Sequence, residues 1–183
     1  MIGAYTYPSP PGYSTFYSNP LPGQGHHGGT AIMVRSDVPY TSLQLNTNLQ
    51  AVAIKLFLKR TYAVCSIYLP PGDPIERDDL DCLVRDLPSP FLLLGDFNGR
   101  HPLWGDSTSN PRGVLLASFM EEDVSLLNSG EMTHFYSQTG IFTAIDLSLC
   151  SPNALLDFNW RVLPDLYGSD HFPILLESTA STP

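Results

Sequence analysis

The sequence is poor in cationic residues and in cysteine, and it has no long apolar run. Its 9 lysines and arginines stand against 18 aspartates and glutamates, giving a formal net charge of −9. That shortage excludes a basic footprint spread over the whole chain, the usual mark of a protein held to a polyanion by its overall field. It does not exclude a local site, because acids gathered at one place can hold a divalent cation that itself meets a phosphate. The 3 cysteines, Cys65, Cys82 and Cys150, are odd in number, widely spaced and set in apolar segments. This argues against a disulfide frame or a cysteine-based zinc site and predicts buried thiols in a reducing compartment. No apolar stretch approaches the roughly 20 residues that span a bilayer, and no basic segment leads into an apolar core at the start. An intracellular protein without a membrane partner is expected.

What the sequence does have is 17 prolines and 14 glycines in 183 residues, with an ordinary 43% hydrophobic share. Such a chain builds one sizeable core with many turns. The segments 30–35, 51–57 and 61–69 are rich in β-branched and aromatic residues and read as strands, with residues 58–60 as a hairpin connection between the last two. Asp73 and Pro74 read as the N-cap and first turn of a helix carrying Leu80, Leu83, Val84 and Leu87 on one face. Asn110 and Pro111 read likewise for a second helix running to about Asp123, with Leu115 and Phe119 on one face. Further strands are expected at 91–96, 125–128, 142–149, 160–163 and 172–176, and residues 178–183 as a frayed tail behind a single domain of residues 1–177.

The stretch FLLLGDFNGRHPLWGD (91–106) ends an apolar strand on Asp96 and Asn98. Side chains two apart in extended chain face the same way, so this pair would present a carboxylate and an amide to one spot at the sheet's edge. Asp-x-Asn-Gly is also common turn chemistry. In FTAIDLSLC (142–150), Asp146 falls on the less apolar side of the alternation and needs a partner if buried. GSDHFPI (168–174) sets Asp170 and His171 where a loop enters another strand. A carboxylate bonded to an imidazole raises its pKa and fixes its orientation, which makes a cationic donor available near neutral pH.

The order GDFN, AIDLSL, GSDHFPI, together with SIYLPPGD (66–73) and GGTAIMVR (28–35), resembles the endonuclease/exonuclease/phosphatase superfamily. Within it, the chain is similar to the apurinic-endonuclease-like endonuclease domains of non-LTR retrotransposons, from about Pro10 to Leu176. The resemblance implies an α/β fold of two packed mixed β-sheets flanked by helices, the four-layer, DNase I-like sandwich. It implies metal-dependent nicking of DNA with Mg2+ or Mn2+, in a monomer that acts in the nucleus and was once joined to a reverse transcriptase. By the same resemblance, Asp96 orients and deprotonates the attacking water, and Asn98 holds that water or a phosphate oxygen. Asp170 lies at the metal, His171 held by Asp146 bonds the scissile phosphate, and Tyr68 approaches the same phosphate. These residue types suit hydrolysis of a phosphodiester, which needs a positioned oxygen nucleophile and donors fixed against developing charge.

The family's opening strand with its asparagine, and the strand ending in a Gln-Glu metal ligand, have no counterpart here, since the first glutamate is Glu76. The expectation is a domain lacking its N-terminal strand–helix–strand. Three readings compete: an active nuclease, an impaired remnant that keeps the fold, and another phosphoesterase of the superfamily. Elsewhere, bland roles are expected. His26 and His27 read as a loop, Trp104 as a packed loop aromatic in preference to a DNA wedge, and Asp78, Asp79 and Asp81 as the solvated face of the first helix.

Overall fold

The computed structural model describes residues 8–18, 28–120 and 123–180; His26 and His27 lie outside them. A six-stranded mixed sheet, in the order β3-β4-β5-β6-β10-β7, forms the centre. Its strands are β3 (Tyr40–Leu43), β4 (Gln50–Phe57), β5 (Thr61–Tyr68), β6 (Phe91–Asp96), β7 (Ser125–Leu126) and β10 (Asp146–Cys150). Beside it lie three two-stranded ladders: β1 (Tyr13–Ser18) with β2 (Thr30–Arg35), β8 (His134–Tyr136) with β9 (Ile141–Thr143), and β11 (Phe158–Val162) with β12 (Ile174–Ser178). The helices are α1 (Arg77–Arg85) and α2 (Pro111–Phe119). Among the described residues no helix is long and apolar enough to cross a membrane.

The period-2 alternation of the central strands divides the interior. Ala63, Cys65 and Ile67 of β5, Leu93 of β6 and Leu147 and Leu149 of β10 join Leu80, Leu83, Leu116 and Phe119 of the helices in one core. The opposite face sets Tyr62, Leu92 and Cys150 against Phe158 and Leu176 of the β11–β12 ladder, and β1–β2 packs on β4 and β5. Helices, central sheet and strand ladders are thus stacked as layers, each burying the apolar side that period and pattern assign to it.

Several boundaries differ from those the sequence predicts. Helix α1 begins at Arg77 under a capping box of Glu76 and Asp79 instead of at Asp73–Pro74. The Asp73 carbonyl is held by Arg112 and its N–H turns back to Pro70 O, so that segment is pinned as a turn. Asp79 is therefore a cap as well as a surface acid, its Oδ2 accepting the Glu76 N–H at 2.8 Å. Helix α2 stops at Phe119, where the chain must turn to deliver buried Val124 and strand β7.

The single strand expected at 142–149 is two, β9 and β10. Between them the N–H groups of Ala144, Ile145 and Asp146 go to side-chain acceptors, Asp106 Oδ2 for the first and Thr133 Oγ1 for the other two. Ser178 closes β12 and Thr179 N donates to Asp157 O, so these two residues of the expected tail are held by the fold, and residues 181–183 lie outside the described residues. Cys65 and Cys150 are buried, and burial pushes their thiols up to about 12 and about 11. Cys82 is exposed, contrary to expectation: α1 turns Leu80 and Leu83 to the core and leaves Cys82 beside Arg85 on the outer side. Trp104 is fully buried with its indole N–H on Gly99 O at 3.1 Å, which leaves no free ring to wedge into a base stack.

Candidate active site

Strand register brings the first three groups into a row. Tyr68 at the end of β5 is the parallel partner of Asp96 at the end of β6, and Asp96 is the antiparallel partner of Asp146 at the start of β10. Neighbouring strands lie about 4.8 Å apart, so these side chains cross the sheet edge as adjacent teeth. The row depends on Gly95. A Cβ there would sit 1.8 Å from the carbonyl oxygen of Ile67, so only glycine lets β6 lie this close to β5 just before Asp96.

Asn98 meets Asp96 through a turn and not through extended chain. Its backbone has φ +51°, a region asparagine tolerates well. Its N–H donates to Asp96 Oδ1 and its side-chain amide to Asp96 Oδ2, each at 2.9 Å, with a further bond to Leu69 O at 3.1 Å. Asn110, the N-cap of α2, donates to Asn98 O and accepts from Arg100 N, which ties this turn to the helix start. Arg112 donates to the carbonyls of Leu69 and Pro70 at 2.9 and 2.8 Å and holds the floor beneath.

The fourth group arrives from the ladder side. Phe135 N donates to Asp170 O and Phe172 N to Thr133 O, so His171 is bridged to His134 and its ring is carried over β10. His171 Nδ1 lies 3.0 and 2.9 Å from the two carboxylate oxygens of Asp146. Asp146 is only 16% exposed, and its backbone is fixed by Thr133 Oγ1 and by Asn128, whose amide donates to Asp146 O at 3.0 Å. Together Tyr68, Asp96, Asn98, His134 and His171 line a cleft of about 590 Å³, closed on one side by Tyr136, Ile141 and Thr143 of the β8–β9 hairpin. Asp170 is not part of the lining. Its carboxylate stands at the rim, 70% exposed and 3.8 Å from His134 Nε2.

The charges are tuned by this placement. Burial, and then the neighbouring Asp146 carboxylate, push Asp96 up to about 6, against the opposing pull of Asn98 and His171. The hydrogen bond that His171 donates to the Asp146 carboxylate raises the imidazole above its ordinary value despite partial burial. His134 moves the other way, lowered by burial and by the adjacent His171. Burial and Asp96 raise the Tyr68 phenol, which stays a neutral hydroxyl. A carboxyl poised near neutrality beside a histidine whose protonated form is favoured by its carboxylate partner is an arrangement fit for acid–base and phosphate chemistry.

Sequence reasoning misses four residues that build this site. His134 carries no signal beyond its place in a turn-rich stretch. Thr133, Asp106 and Arg112 act on backbone groups remote in sequence, though Asp106 in WGDS and Arg112 in NPRG sit within the turn chemistry of a fixed loop.

The sequence model described as Endonuclease-reverse transcriptase matches residues 62–175. The chain belongs to this family. It is 30% identical over 172 residues to the RNA-directed DNA polymerase from mobile element jockey of Drosophila melanogaster, and 27% identical over 170 residues to the probable RNA-directed DNA polymerase from transposon X-element of the same fly. These alignments take in 90% of this chain but 18% and 19% of those proteins, so the chain spans about a fifth of the length of the curated relatives it matches.

Among solved structures, the endonuclease domain of TRAS1, a telomere-specific non-LTR retrotransposon, superposes with a TM-score of 0.78 at 26% identity, covering 90% of this chain and 77% of that one. The Xenopus laevis APE2 catalytic domain shares the fold, with a TM-score of 0.68 at 16% identity, covering 92% of this chain and 76% of that one. The chain thus has the DNase I-like architecture of a non-LTR retrotransposon endonuclease domain of the endonuclease/exonuclease/phosphatase superfamily.

Proposed function

We propose that this domain hydrolyses phosphodiester bonds in DNA, nicking one strand with the help of Mg2+ or Mn2+, and that its parent polyprotein also carries a reverse transcriptase. The observation that carries the reading is the row Tyr68–Asp96–Asp146, which sets Tyr68, Asp96 and the Asp146-bonded His171 together in the lining of one cleft. The likeness to the TRAS1 endonuclease domain supports DNA as the substrate, and the jockey relative supports the reverse transcriptase.

Each group has a task its surroundings allow. Asp96, with its pKa near 6, is ionised at neutral pH and takes a proton from a water in the cleft, while Asn98 keeps its carboxylate pointed there. Asp146 engages Nδ1 of His171, which leaves Nε2 to donate to a non-bridging phosphate oxygen as charge builds on it. Tyr68 donates a second hydrogen bond to the same phosphate from the cleft floor.

A divalent ion supplies neutralisation of the phosphate and of the leaving oxygen. The donor set suits such an ion in part: Asp170 offers one accessible carboxylate at the rim, where magnesium commonly takes one or two together with substrate oxygens.

Supercoiled plasmid incubated with the purified chain tests the reading. Nicked circles should form with Mg2+ or Mn2+, stop with chelator, and fall by orders of magnitude in His171→Ala. Nicking undiminished by chelator or by His171→Ala would refute it.

A further inference from the structure

His134, Asp170 and His171 offer three ligand atoms that all lie within 4.8 Å of one another. The two rings meet edge to face with centroids 4.7 Å apart, and His134 Nε2 is 3.8 Å from Asp170 Oδ2. What distinguishes this cluster is the state of the other ring nitrogens. His171 Nδ1 is engaged by Asp146 and His134 Nδ1 by the Thr143 hydroxyl at 3.1 Å. Each imidazole therefore has its orientation fixed through Nδ1 and leaves Nε2 as the ligating atom, the outer-shell arrangement that metal-binding histidines almost always show. The Asp170 carboxylate is the exposed partner, 70% open to solvent.

From this geometry we infer a second metal site, a binding place for a borderline-soft transition ion such as Zn2+ made by His134 Nε2, His171 Nε2 and Asp170. Two imidazoles and one carboxylate suit zinc, whereas magnesium favours oxygen alone. Zinc–nitrogen bonds of about 2.0–2.1 Å in a tetrahedron put ligand atoms roughly 3.3 Å apart. The three ligand atoms lie within 4.8 Å of one another, so seating the ion requires the exposed Asp170 side chain to close on the two rings. The fourth position faces the cleft and is left for water or a phosphate oxygen.

The site has a consequence for the reaction, and this consequence rests on the function proposed above. Zinc on Nε2 removes the donor that His171 presents to the phosphate and takes Asp170 from the catalytic ion. The site is inhibitory, and zinc acts as a brake set by its concentration relative to magnesium.

The test uses a Cys82→Ser, His26→Ala, His27→Ala, His101→Ala background, which removes the exposed thiol and the other three imidazoles. ZnCl2 is titrated calorimetrically, and CoCl2 is followed by the visible absorption of four-coordinate cobalt. One ion per chain should bind, and His134→Ala should weaken it by at least about a hundredfold. Thr143→Val, which keeps all three ligands and frees only the His134 ring, should weaken it about tenfold. Should His134→Ala lose its near-ultraviolet circular dichroism, Thr143→Val decides. Absence of binding in the parent, or affinity unchanged in a folded His134→Ala or in Thr143→Val, would overturn the site.

Plasmid nicking at fixed Mg2+ then tests the brake, each rate normalised to the same variant's zinc-free rate. Half-inhibition should track the zinc affinity and move at least about tenfold in Thr143→Val. Zinc that binds without slowing nicking would overturn the brake alone. A chain that binds zinc but never nicks DNA would leave the site standing and remove the nuclease reading instead.

Discussion

Asp96 and Asp170 are both aspartates where a strand meets a loop, the one lining the cleft and the other exposed at its rim. Asp96 is locked by strand register, by Gly95 and by two bonds from Asn98, and its surroundings push it up to about 6. Asp170 hangs at the rim, mostly exposed, with the His134 imidazole 3.8 Å from its carboxylate. The inner half of the site is thus pre-organised by backbone geometry, while the rim half is assembled from one exposed acid and two rings. Under the proposed function, the base is the group held in place and the metal ligand is the group left open to solvent.

Substituting the inner acid should have the largest effect. Asp96→Asn keeps the shape but removes the base, so nicking should fall by about a thousandfold or more, about 4 kcal/mol of barrier. In the unsubstituted chain kcat/KM should rise with pH through about 6, as the Asp96 carboxyl ionises. The residual rate of Asp96→Asn should have lost that limb. A pH-rate profile of both proteins checks this, and a limb that survives in Asp96→Asn assigns it to another group.

Asp170→Ala should cost less, about a hundredfold at low Mg2+, and the loss should shrink as Mg2+ is raised, because a missing ligand weakens binding of the ion more than the step itself. Rate against metal concentration separates the two aspartates: Asp96→Asn should not recover at any concentration. Equal recovery in both would erase the distinction between base and ligand.

The contrast also explains what could be read in advance. Asp96, Asp146 and His171 stand out because each interrupts an apolar alternation at a strand end, and such interruptions are local patterns. Thr133 does not. It is a fully buried threonine whose hydroxyl accepts N–H bonds from Ile145 and Asp146, 12 and 13 residues away, so nothing near it in sequence signals the task. The start of α1 was misplaced for the same reason, since Arg112 pins the Asp73 carbonyl from 39 residues away. The β9–β10 break follows too, because Asp106 and Thr133 take the backbone groups that a continuous strand would use.

Thr133 gives a smaller and more specific test. In Thr133→Val two buried N–H groups lose their acceptor, which should cost about 1–3 kcal/mol of stability. The Asp146–His171 pair should loosen enough to lower kcat about tenfold with little change in KM. Thr133→Ser should restore both. Restored stability without restored turnover would mean that the hydroxyl supports the fold alone.

The smallest effect is on stability, and it has the opposite sign to the effect on activity. The Asp96 carboxyl is raised from 3.8 to about 6 in the folded chain, so the native state holds a proton more tightly than the unfolded state does. A group of this kind contributes stability that is present below its unfolded pKa and lost as pH rises through the folded one. Above about pH 6 the folded protein therefore carries an anion pressed against Asp146. The full shift corresponds to at most about 3 kcal/mol. Asparagine removes the charge but can accept only one of the two Asn98 bonds well, which gives back part of the gain. Asp96→Asn should accordingly be more stable than the unsubstituted chain by about 1 kcal/mol at pH 8, with the advantage gone near pH 4. Urea melts of the two proteins at both pH values measure it. An advantage equal at the two pH values would arise from packing and not from charge, and the raised carboxyl could not then be the cause of the acid limb in the rate profile.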